Sequence, residues 1–133
     1  MKDLAAPLGL EGLRSRSKTE RSDAQFFDWR VASVALCVFV GYYFGAKVGF
    51  ALTFHPHPVS VLWPPNSILL AALLLMPKPT WWLLLLAAFA AHWLVQLQSN
   101  VPPEMIFCWF ISNSCEALIG AGSIRFLIGS PVD

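Results

Sequence analysis

Eight residues of this 133-residue chain have the chemistry to build a polar site inside a bilayer: Lys47, Trp63, Pro64, Pro65, Asn66, His92, Asn113 and Glu116. All lie within or beside apolar runs, where an ionised or polar side chain is costly without a partner, a cavity or a boundary position. Asn113 and Glu116 are spaced i, i+3, so they project from one helical face, with Gly120 a turn further along it. Two chemistries are open to this set: Glu116 pairs with Lys47, or Glu116 is a protonatable group inside the bundle. The simpler structural reading is that these residues lock the fourth helix to the first.

Trp63-Pro64-Pro65-Asn66 leads into a charge-free run ending at Met76. Proline has no N–H and a fixed φ, so two in succession fit the first turn of a helix and not its interior. The helix is therefore expected from near Trp63 to Met76, with Trp63 at the membrane–water interface and Asn66 and Ser67 satisfying backbone groups that lipid cannot. His55-Pro56-His57-Pro58 adds two imidazoles in the preceding loop. Two ligands without a neighbouring Cys, Asp or Glu are too few for a closed metal site, so a solvated turn is expected and no metal is assigned.

The elements that must position these residues follow from composition. With 56% hydrophobic and only 13% charged residues, the chain is too apolar for an ordinary soluble domain. Four runs approach the roughly 20 residues a bilayer-spanning helix needs: 31–54, 59–76, 81–97 and 105–128. The fold class expected is all-α, a polytopic transmembrane bundle of about four helices. Residues 1–30 are expected as a flexible cytoplasmic arm, 31–128 as the transmembrane domain and 129–133 as a tail. A re-entrant piece in helices one and two is the alternative, because helix two is short.

Lys2, Arg14, Arg16, Lys18, Arg21 and Arg30 precede the first apolar run, and Lys78 and Arg125 would share their side of the membrane. Cytoplasmic loops are enriched in Lys and Arg, which orients the N-terminus to the cytoplasm. Counting 1.5 Å per residue from the opposite surface puts Lys47 roughly 10 Å, His92 roughly 8 Å, Asn113 roughly 12 Å and Glu116 roughly 16 Å deep. The arm is mixed in sign, with no clear periodicity and no Lys/Arg run, so nucleic acid is not an expected partner.

Gly41, Gly45 and Gly49 form a GxxxGxxxG face that admits another helix closely, either within the chain or in a homodimer. Cys37, Cys108 and Cys115 lie in apolar runs without a CxxC pair and are read as buried small hydrophobes. Trp63, Trp81, Trp82, Trp93 and Trp109 are read as an interfacial aromatic belt. No Gly-x-Ser-x-Gly elbow, His-Glu-x-x-His or Walker loop is present, so no catalytic residue and no cofactor is assigned.

The residues from Val59 to Met76, with Trp63-Pro64-Pro65-Asn66-Ser67-Ile68 ahead of an Ala/Leu-rich helix, resemble the hallmark of the MASE1 membrane-associated sensor domain. Asn113-Ser114-Cys115-Glu116-Ala117-Leu118-Ile119-Gly120, with Arg125 following, is similar to that family's Asn-x-x-Glu-Ala-x-x-Gly stretch. The similarity covers roughly residues 35–128. Ser67 stands where the family usually has glycine, and His92 where asparagine is often seen. The resemblance implies a bacterial inner-membrane input module, the N-terminal half of a domain of about eight helices. It further implies a histidine kinase or GGDEF diguanylate cyclase output domain, which this chain lacks. Half of a transporter or channel, and a non-catalytic assembly subunit, are the competing readings.

Overall fold

The computed structural model describes the backbone of residues 8–54, 59–60 and 62–129. The His55–Pro58 turn therefore lies outside the described residues, as do the first seven residues and all of the tail beyond Gly129. The chain divides into two compact units, Met1–Ala32 and Ser33–Asp133.

The described residues form four helices: α1 (Leu8–Ala51), α2 (Pro64–Leu75), α3 (Trp81–Leu97) and α4 (Pro103–Ile128). Residues 8–30, expected as a flexible arm, have helical backbone. The physical reason is plain in the sequence, since no proline occurs between Pro7 and Pro56 and the stretch holds four Arg, three Leu and two Glu, all good helix formers. At its other end α1 stops at Ala51, three residues short of the expected Phe54. The next residues form a two-stranded antiparallel hairpin, β1 (Thr53–Phe54) with β2 (Val59–Ser60), in the register Thr53 to Ser60 and Phe54 to Val59.

Pro64 and Pro65 occupy the first turn of α2, as their missing N–H groups require. The helix ends where Met76 turns extended (φ −112°, ψ 145°), because the ring of Pro77 disfavours helical backbone in the residue before it. A 3-10 turn over Lys78–Thr80 carries the chain into α3. Asn100 and Gly129 take positive φ (54° and 64°), Gly129 as the left-handed residue that ends α4.

The segments Asp28–Ala51, Lys78–Leu97 and Pro103–Ile128 are each long and apolar enough to cross a membrane. Twelve-residue α2 is not, being about 18 Å long against a hydrocarbon thickness of about 30 Å. In the second unit α2 packs on α3 and α4, and α3 packs on α4. The core consists of helical stripes: Val38, Tyr42 and Ala46; Leu69 and Leu73; Leu84, Ala88, Ala91 and Val95; Ile106, Ala117 and Ala121. Between apolar helices in lipid the hydrophobic drive is weak, so close packing and interhelical hydrogen bonds must hold the bundle together.

The close packing is where the glycines lie. A Cβ on Gly41 would stand 3.4 Å from Ile68, and one on Gly45 would meet Ile68 at 3.3 Å and Pro64 at 3.4 Å. One on Gly49 would overlap the Trp63 ring at 2.8 Å, while Gly120 admits Leu70 of α2 at 3.3 Å. The α1 glycine face is thus occupied within the chain by the Trp-Pro-Pro start of α2.

Candidate sensory site

The start of α2 lies deep along α4. Asn66 donates from Nδ2 to Glu116 Oε2 at 2.6 Å, and Glu116 comes thirteen residues after Pro103, about 20 Å along a helix of about 39 Å. The sequence placed this start at the water interface; the structure sets it level with the middle of α4. Sequence spacing counts depth from the start of each helix, and the register of α2 against α4 is set instead by the Asn66–Glu116 contact.

A helix that starts among apolar neighbours must dispose of its unpaired N–H groups. Pro64 and Pro65 have none, and Asn66 N bonds to Trp63 O at 3.3 Å. What remains at this end is the positive pole of the helix dipole, which a carboxylate complements. Glu116 supplies it. The expected Lys47–Glu116 pair does not form, since Lys47 Nζ instead donates to Gln98 Oε1 at 2.5 Å and sits 5.5 Å from the centroid of the Tyr43 ring. Gln98 also accepts from the Tyr43 hydroxyl at 3.2 Å, so Lys47 belongs to a separate group near the far ends of α1 and α3.

Next to the Asn66–Glu116 pair is a buried node centred on Tyr42. Its hydroxyl lies 3.3 Å from His92 Nδ1, and His92 Nε2 lies 3.1 Å from the carbonyl oxygen of Ile106. A carbonyl only accepts, so Nε2 must carry a proton. In the neutral imidazole Nδ1 then accepts and Tyr42 donates. His92 is fully buried and stacks edge-on to Tyr42, with Phe110 against its other side at 5.7 Å. The Asn113 side chain approaches the same hydroxyl. So does Trp63 Nε1, which is buried there without closing a hydrogen bond of normal geometry. Asn66 Oδ1 and Ser114 Oγ are likewise buried with no partner.

The structure thus brings together Trp63, Asn66, His92, Asn113 and Glu116, with Pro64 and Pro65 as the floor against Gly45, and leaves Lys47 out. Tyr42 joins them and was not foreseen. The signal was available: a tyrosine hydroxyl at membrane depth needs a partner, and Tyr42 is spaced i, i+3 and i, i+7 from Gly45 and Gly49.

The second unforeseen residue is Arg125, which the sequence marked only as a cytoplasmic-side charge. It is buried, and its Nη2 donates to the carbonyls of Leu73 (2.9 Å), Leu74 (3.1 Å) and Met76 at the C-terminal end of α2. Its guanidinium carbon stands 5.2 Å from the centroid of the Trp81 ring, and Trp81 Nε1 donates to Met76 O at 3.1 Å. Pro77 explains the need, because the residue that would give Leu73 O its helical partner has no N–H. Of the tryptophans expected in a belt, Trp82 and Trp109 are exposed, whereas Trp63 and Trp81 turn to partners inside the bundle. Among the described residues no cluster of three or more metal-binding side chains occurs.

Three long apolar helices and a buried polar node on a half-length helix define a membrane-associated domain. The MASE1 family model matches residues 34–133, and the chain belongs to that family of membrane-associated sensor domains. No curated protein and no solved structure matches the chain significantly.

Proposed function

We propose that this chain is the sensory input module of a bacterial signal-transduction protein, multi-pass in the inner membrane with a cytoplasmic N-terminus. It passes an incoming cue to a cytoplasmic output domain of the histidine kinase or diguanylate cyclase type. The observation that carries this reading is the polar node joining all four helices through Tyr42, Trp63, Asn66, His92, Asn113 and Glu116. Several of its polar atoms, Trp63 Nε1, Asn66 Oδ1 and Ser114 Oγ, are buried without a hydrogen-bond partner, so a rearranged node would have partners to gain. If the cue breaks the Asn66–Glu116 bond, α4 is released from the start of α2 and its cytoplasmic end shifts, so that a small local change becomes a packing change.

Two experiments test it. Alkaline phosphatase fused after Gly129 should be inactive and fused after Asn100 active; the reverse pattern would refute the orientation. The coding sequence beyond residue 133 should specify kinase or cyclase motifs. Further helices alone would favour a second reading, half of a transporter, which one observation supports: a half-length helix starting at mid-depth is how many transporters build a substrate site.

A further inference from the structure

Glu116 holds the start of α2, yet its side chain is exposed on the surface of the bundle. Among the described residues its only hydrogen-bond partner is the neutral amide of Asn66. At mid-length of a membrane-spanning α4, the open side of this carboxylate would face hydrocarbon, which is strongly unfavourable.

The faces around it differ in kind. The exposed stripe of α3 comprises Trp82, Leu86, Ala90, Leu94 and Leu97 and is wholly apolar, as a lipid-facing surface should be. The exposed stripe of α4 around Glu116 has Ser112, Ile119 and Ser123 at i−4, i+3 and i+7, with Cys115 beside it. Near its lower end, a Cβ on Gly122 would meet nothing within 4 Å, so a neighbouring helix has room to approach. Small residues and a hydrogen-bonding side chain on one helical stripe are the chemistry by which membrane helices associate. Charge decides the partner. A carboxylate with one neutral partner selects a cation, and the chain's own Lys47 is already bonded to Gln98.

We propose that the Ser112–Glu116–Ile119–Ser123 face of α4 docks a further transmembrane helix that presents a lysine or arginine at the depth of Glu116. The geometry assigns α3 to lipid and α4 to this partner.

The test uses the full chain in bicelles with a donor fluorophore, and acceptor-labelled polyleucine transmembrane peptides carrying Lys, Leu or Glu at their centre. The lysine peptide should bind about tenfold more tightly than the leucine peptide. That preference should vanish in Glu116→Gln, which keeps an acceptor for Asn66, and turn toward the glutamate peptide in Glu116→Lys. Ser112→Leu, which leaves the Asn66–Glu116 bond alone, should weaken lysine-peptide binding by a few-fold through steric block. Equal binding of the lysine and leucine peptides to the wild-type chain would overturn the proposal. So would Glu116-dependent self-association without peptide, which would make a second copy the occupant.

Discussion

The two ends of α2 are both held by α4, and both are built on proline, but with opposite chemical consequences. At the N-terminal end Pro64 and Pro65 remove donors that a buried helix start would leave unpaired, so the neighbour needs to supply only a carboxylate for the dipole. At the C-terminal end Pro77 removes a donor that the helix needed, leaving carbonyls that must find a partner elsewhere. Arg125 provides it, from a buried position. Glu116 and Arg125 thus grip a half-length helix at its positive and negative poles from one side. The difference teaches that the N-terminal end disposes of its backbone donors within α2 itself, whereas the C-terminal end requires a donor from α4 for its carbonyls.

The sharpest way to break this contrast is at Arg125. Arg125→Leu should destabilise the bundle by about 3–5 kcal/mol, since three carbonyls, two of them in buried contacts, lose a charged donor at once. Arg125→Lys should recover only part, because an ammonium lacks the planar fork. Unfolding by SDS titration in mixed micelles measures both, and a wild-type-like Arg125→Leu would end the claim that this end requires a donor from α4.

A smaller effect is expected where α1 meets the N-terminal end. Gly49→Ala places a methyl 2.8 Å from the Trp63 ring and should cost about 1–3 kcal/mol by overpacking. Trp63 fluorescence should shift with it. An unchanged stability and spectrum would mean that the ring gives way freely and does not set the position of α2.

Two prolines at different depths separate the effect of burial from that of backbone conformation. Pro65→Ala introduces an N–H at mid-depth and should cost about 1–2 kcal/mol, while Pro103→Ala, at the exposed start of α4, should change stability by less than about 0.5 kcal/mol. Equal effects in the same unfolding assay would show that depth is irrelevant to why prolines open α2. Smallest of all, Gly122→Ala has open space and should be neutral or stabilise by up to about 1 kcal/mol through helix propensity.

Much of this arrangement is legible in the sequence. The limits of α3 at Trp81 and Leu97, the prolines in the first turn of α2 and the packing capacity of Gly41, Gly45 and Gly49 all follow from local rules. The partner of Glu116 did not. Lys47 was the sole basic residue in the first apolar run, and opposite charge suggested a pair, but sequence spacing carries no information on how far along α4 the start of α2 would lie. Tyr42 is ambiguous in the sequence, since a tyrosine in an apolar run suits an interface as well as a buried site, and only its contact with His92 distinguishes the two cases.

By itself, the amino-acid sequence determined that the chain forms apolar helices broken at its prolines, with three glycines on one face and a few polar groups that lipid would not tolerate alone. These are local properties, set by backbone sterics and by the free energy of a side chain in hydrocarbon. The tertiary structure alone decided that α2 begins at mid-depth, that Asn66 takes Glu116 while Gln98 takes Lys47, and that Arg125 reaches across to close the other end. Those pairings depend on the relative height of helices distant in the chain, which is settled only when their surfaces pack.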